Sequence, residues 1–330
     1  MHASFRLIRV VALVIAVCVT GWPYLLEASS SGGGRGIDNA ASAGHRPTHW
    51  MSMLDASTRH PWFGFGWNQI PVAHFTVAPD YPATKEILAD SHNLVLDLLV
   101  WNGWPIGLFL IGALGWWFLV MLTRRHSSES AIALAAVISI FVHSMVEFPI
   151  NYLYFMLPIA ALMGGLVAEL RASDSVSAPR WVAPTFLGVL VFAGTSLSLE
   201  YLKIEEETVI RRFELARIGN RPFPPLDVQW LTQLGNYLRF ARTPASDNMS
   251  DADVRWMGQV AMRFPNWTAV IQYAAALARN DRPGDAAAAL TRICKIQPDA
   301  ACLLAQARWS QFGKDSAKIA AIPFPGAPPP

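Results

Sequence analysis

Apolar residues gather into long runs over residues 7–199, and charges and prolines crowd the chain after residue 200. Five runs stand out: 6–26, about 94–122, 131–148, 152–168 and 181–199. Within the second, residues 104–122 carry no charge. At about 1.5 Å per helical residue they reach close to 30 Å, enough to cross a bilayer core. The pattern predicts an all-α, polytopic membrane helix bundle followed by a helical tail. Its divisions are a spanning helix or signal-like anchor at 1–26, an outer loop at 27–93 and a four-helix spanning region at 94–199. A helical domain at 200–315 and a disordered tail at 316–330 complete it. A cleavable signal peptide is the rival reading of 6–26, where Arg6 and Arg9 precede the apolar core.

Composition agrees. Of the 330 residues 53% are apolar and only 15% charged, where a soluble chain averages about a quarter charged. The net charge of +2 and the lack of a basic patch with interleaved aromatics give no sign of nucleic-acid binding. Arg124 and Arg125 flank one connection and Arg171 and Arg180 another, so with Arg6 and Arg9 they face the cytoplasm. Residues 27–93, the turn near 147–151 and residues 200–330 then face the periplasm, in the inner membrane of a Gram-negative cell.

Inside the outer loop, Trp50, Met53, Leu54 and Ser57 recur at helical spacing, which predicts a short amphipathic helix ended by His60-Pro61. WFGFGWN follows, a tight glycine turn carrying aromatics. In the tail, the acidic start of EEETVIRRFELARIGN predicts a helix closed by Gly219-Asn220. Two or three helices follow to about Phe264. Residues 267–312 read as one tetratricopeptide-like helix-turn-helix repeat, from its small residues and its Pro-Asp pair. Cys18 packs as a small hydrophobe; Cys294 and Cys302 pair or stay free according to compartment. No spacing suggests a metal.

Polar side chains at a membrane mouth are costly and tend to carry a role. His92 leads, beside Asn93 and before Asp97, and is either a base near neutral pH or a helix cap. Asp97 either pairs with a loop arginine or faces an aqueous cleft. His143 and Glu147, four apart, share a face if helical, and form either an interhelical pair or part of a site. Arg35, Arg46 and Arg59 offer guanidinium groups suited to phosphate, or an ordinary solvated surface.

Taken in order, Arg46-x3-Trp50, HPWFGFGWNQ, SHNLVLDLLVWNGWPIG and HSMVEFPINYLYFMLPIAALMGG resemble the O-antigen ligase and protein O-oligosaccharyltransferase superfamily over residues 45–310, on the pilin-type branch. The resemblance implies glycan transfer from an undecaprenyl-pyrophosphate carrier to a hydroxyl of a pilin or other exported protein, amid membrane lipid and with no cofactor or essential metal. His92 would be catalytic, with Glu147 and His143 beside it. Arg46, Arg35, Arg59, Asn93 and Asp97 would bind substrate. An O-antigen ligase or polymerase, or an inactive scaffold displaying the tail, are the alternative readings. Relatives have about ten or more spans, so this chain is expected to be the C-terminal part of a larger enzyme.

Overall fold

A computed structural model describes residues 45–170, 179–218 and 226–325. The segment 6–26, Arg35 and the Gly219-Asn220 cap lie outside these residues. The described residues are helical, without strands, and fall into two compact units, 1–175 and 176–330.

The first unit opens with α1, Arg46–Arg59, started by Pro47 in its first turn and stopped at His60 before Pro61. Its inward face is His49, Ser52, Met53, Ala56 and Ser57. Leu54, expected on that face, points outward. A second short helix, α2 (Ile70–Val77), packs against it. Its uniformly apolar sequence has no face periodicity, and nothing in the spacing signalled it. Met53, Ala56, Ile70, Ala73, Val77 and Leu88 form a core with Leu98, Val100 and Trp101.

Those last three come from α3, Leu94–Thr123, which is two helices joined at Gly103 (φ 73°, ψ 175°). A helix broken there frees carbonyls that must find donors. The 61–66 turn supplies them. Phe65 N donates to Val100 O (2.8 Å) and Gly66 N to Trp101 O (3.0 Å), while Pro61 O accepts from Trp104 N (2.7 Å). This contact is backbone against backbone. Gly64 (φ 65°) has no room for a Cβ, which would overlap Val100 O, and Gly103 would meet Trp62 and Phe63 in the same way.

Among the described residues three helices are long and apolar enough to cross a membrane: α3, α5 (Leu153–Leu170) and α6 (Val182–Leu215). At most 11% of their apolar windows is buried, so these faces require lipid. The segment expected over 131–148 forms α4, Ser128–His143, which has only 16 residues. Helix α4 packs on α5 through Leu134, Val137, Ile159 and Leu166, with Met121 of α3.

The second unit begins with α6, a single 34-residue helix. The acidic segment expected as a separate helix therefore continues the apolar one. It ends one turn before Gly219, at Arg217 (φ 57°), with Ile218 N bonded to Phe213 O (2.9 Å). Then come α7 (Thr232–Arg242), α8 (Asp251–Arg263), α9 (Trp267–Arg279), α10 (Pro283–Ile296) and α11 (Asp299–Asp315). Ser250 and Asn266 cap α8 and α9. Cys294 and Cys302 form a disulfide joining α10 to α11, a closure that stabilises by roughly 2–3 kcal/mol on loop entropy. Of the tail expected to be disordered from 316, the described residues 316–325 instead fold back. Ile319 is fully buried, and Trp309 Nε1 donates to Ile322 O at 2.9 Å.

Gly64→Ala should lose more than about 2 kcal/mol, because it combines a left-handed backbone with an overlap on Val100 O. Protease sensitivity at residues 61–67 and a lower melting temperature are the readouts; unchanged values would show that the turn is not pinned.

Candidate functional site

The stretch Asp90-Ser91-His92-Asn93 leads into α3, and every residue in it is tied. Asn93 caps the helix, its Oδ1 accepting from Val95 N (3.1 Å) and Leu96 N (3.3 Å). Asp97 is buried and its Oδ1 accepts from Ser91 N at 2.9 Å, so it neither pairs with an arginine nor faces a cleft. Trp50 Nε1 donates to Ser91 O (3.1 Å), and Ser91 Oγ to Asn93 O (2.8 Å). Asp90 Oδ1 accepts from His92 N (3.1 Å), holding a residue whose backbone is left-handed (φ 54°). A non-glycine residue in that region is uncommon and marks a local constraint.

That geometry aims the His92 ring at two carboxylates. Nδ1 lies 3.3 Å from Glu147 Oε2 and 3.6 Å from Asp90 Oδ1, buried and not aligned in a hydrogen bond with either. The ring packs edge-on to Phe148, centroids 5.3 Å apart. Nδ1 is turned inward, which leaves Nε2 as the nitrogen open to a reactant. Burial holds the Asp90 carboxyl above the usual carboxylate range.

Glu147 also binds Arg46: Nη2 to Oε1 is 2.7 Å, with both side chains about a third exposed. It reaches that position because α4 stops at His143. Ser144 Oγ donates to Ile140 O, Ser144 O accepts from Leu94 N (2.9 Å), and Pro149 disfavours helix at Phe148. One further turn joins the two, Glu147 N bonding His143 O at 2.9 Å, but their side chains do not pair. His143 is exposed, whereas Glu147 turns back toward α1 and α3.

Arg59 lies thirteen residues beyond Arg46 on α1, about 20 Å along its axis. It is bound by Asp55 and Asp80, both at 2.7 Å, which accounts for its raised pKa. It stands apart from the site. Asp90 and Phe148 were not singled out from sequence, and Trp50 was read only as a helix-face and motif residue. Only the Asp two residues before the histidine gave a usable signal, an Asx turn.

Beneath the site lies a second polar group. His49 Nε2 is 3.1 Å from Glu86 Oε1, and His74 Nδ1 accepts from Leu88 N (3.4 Å). Burial lowers the His49 pKa, and it pushes His74 down to about 4. Among the described residues no cluster of His, Cys, Asp and Glu is arranged to hold a metal.

A family profile described as "Virulence factor membrane-bound polymerase, C-terminal" matches residues 131–311. The chain belongs to that family. Residues 2–111 match the O-Antigen ligase profile, so the chain sits in the O-antigen ligase and O-oligosaccharyltransferase superfamily. A general O-oligosaccharyltransferase of Acinetobacter baylyi is 35% identical over 156 residues, 46% of this chain and 27% of that protein. A ComP-specific O-oligosaccharyltransferase of the same organism is 28% identical over 228 residues, 68% and 41% of the two chains. The chain thus spans less than half the length of either relative. No solved structure matches it.

For His74 the folded pKa lies below the unfolded one, so the unfolded chain takes the proton first. Stability should fall as pH drops from about 6.5 to about 4, by at most about 3 kcal/mol. His74→Asn keeps an acceptor for Leu88 N and should flatten that slope in pH-dependent melting. An unchanged slope would assign it to other groups.

Proposed function

We propose that this chain carries the reaction mouth of a membrane glycosyltransferase. It would move a glycan from an undecaprenyl-pyrophosphate carrier to a hydroxyl of an exported protein. The carrying observation is the convergence of Arg46 and His92, from separate stretches, on the Glu147 carboxylate: 2.7 Å to arginine and 3.3 Å to histidine.

In this reading His92 Nε2 accepts the proton of the acceptor hydroxyl as its oxygen bonds to the anomeric carbon. The bond from that carbon to the pyrophosphate oxygen breaks, and the lipid pyrophosphate leaves with the electron pair. Glu147 and Asp90 stabilise the imidazolium that forms. Arg46 commits one nitrogen to Glu147, and its remaining donors suit phosphate oxygens as charge builds on the leaving group. Asn93 and Asp97 position His92, and neither touches substrate. His143 has no part in this scheme, Arg59 is placed outside it, and Arg35 lies outside the described residues.

A protein acceptor is favoured by the names of both relatives, which are O-oligosaccharyltransferases. Helices α9 and α10 support a tetratricopeptide-like tail, since they pack through buried Ala274, Ala275, Ala278, Ala286 and Ala289. The Cys294–Cys302 disulfide supports a tail on the oxidising, periplasmic side of an inner membrane.

His92→Ala should lower transfer about 10²–10⁴-fold with membrane insertion unchanged. Glu147→Gln keeps a hydrogen-bonding group without the charge and should lower it about tenfold or more. The assay is glycan transfer in membranes supplied with the lipid-linked donor and either a Ser/Thr protein acceptor or lipid A core. Normal transfer by His92→Ala would overturn the mechanism; transfer only to lipid A core would favour the ligase reading.

A further inference from the structure

In the second unit a groove of about 420 Å³ opens between α6, α7, α9 and α11. Its apolar walls include Tyr237, Trp267 and Phe312. Arg211, Arg212 and Arg308 also line it, and no Asp or Glu does. Arg211 is occupied: it pairs with Glu214 (3.0 Å) and donates to Ala241 O (2.6 Å). The other two are not neutralised. Arg212 is exposed and has no carboxylate partner among the described residues. Arg308 lies over the Phe312 ring at 4.6 Å and touches only the neutral Gln311 (3.1 Å).

Two classes of anion suit a recess with cationic rims and an aromatic floor: a lipid headgroup or an acidic protein segment. The length of α6 separates them. Its apolar stretch ends near Leu199, and Arg211 stands twelve residues further on, roughly 18 Å along an unbroken helix. The headgroup layer beyond the hydrocarbon is only about 5–8 Å deep. Arg211 and Arg212 stand clear of it, while Ile204, at the near end of the groove, lies at its outer margin, about 7.5 Å from Leu199. A recess between helices also matches aromatic side chains flanked by acids better than it matches a flat headgroup surface.

We infer that this groove docks an acidic, aromatic-bearing segment of the exported protein that receives the glycan. Its carboxylates engage Arg212 and Arg308, and its ring enters between Tyr237, Trp267 and Phe312. The inference rests on the glycan-transfer reading for its physiological role, but docking is measured without transfer.

The test uses the full chain in nanodiscs and a fluorescein-labelled peptide of Glu, Phe and Ser residues, read by anisotropy. Binding should weaken at least about tenfold in the Arg212→Glu, Arg308→Glu double variant. It should also fail with a peptide in which Lys replaces Glu, and it should persist in His92→Ala. Arg212→Gln with Arg308→Gln, a milder change, should show an intermediate loss if the folded tail is intact by circular dichroism. No binding, or equal binding of the Glu and Lys peptides, would overturn the proposal. So would a double variant that loses affinity for anionic vesicles but keeps the peptide, since the groove would then face lipid. Loss of transfer in His92→Ala with docking intact separates this inference from the catalytic one.

Discussion

The break in α3 at Gly103 is the constraint on which the first unit depends. A spanning helix that simply ran on would leave the outer loop with nothing to bond. Unwinding one turn exposes Val100 and Trp101 carbonyls, and the 61–66 turn closes on them. Because the contact is backbone to backbone, side-chain changes cannot replace it; it needs glycine at 64 and 103. The seal fixes α1 and α2 over the first half of α3. It therefore sets where Arg46 can stand relative to His92.

The rest of the site follows from a second junction. Leu94 N bonds to Ser144 O, so the start of α3 and the end of α4 meet at one point. Glu147, three residues past that bond, is held by its own N bonding His143 O, and its carboxylate falls between Arg46 and His92. The group is held from below by Asp97 and Trp50 acting on Ser91. One carboxylate serves two partners of different character, a permanently charged guanidinium and an imidazole, and a change at either is felt by the other.

What could be read from sequence were the features encoded locally. The charge-free run after Gly103, the α1 stop at His60-Pro61 and the helical tail all have short-range signatures. Features fixed by long-range bonds did not show. The spacing of His143 and Glu147 suggested a shared face, and a last turn does join them, but Ser144 spends its carbonyl on Leu94 and the Glu147 side chain goes to Arg46 and His92 instead. Asp97 read as a polar group in a cleft, because its partner, the Ser91 amide, is a backbone atom that no residue pattern reveals. Ile319 and Ile322, in a proline-rich terminus, read as unstructured until Trp309 supplied a partner for the Ile322 carbonyl.

Helix α6 couples the membrane to the tail without a hinge, and this gives the tail an angular phase as well as a height. Each residue added between Leu199 and Arg211 would lift the arginines by about 1.5 Å but turn them by about 100° around the helix axis. Height is forgiving and azimuth is not. Two added residues would point Arg211 and Arg212 away from α7, whereas seven would restore nearly the same bearing about 10 Å higher. The unbroken helix thus acts as an indexing shaft, and the direction in which the groove faces is written in its residue count.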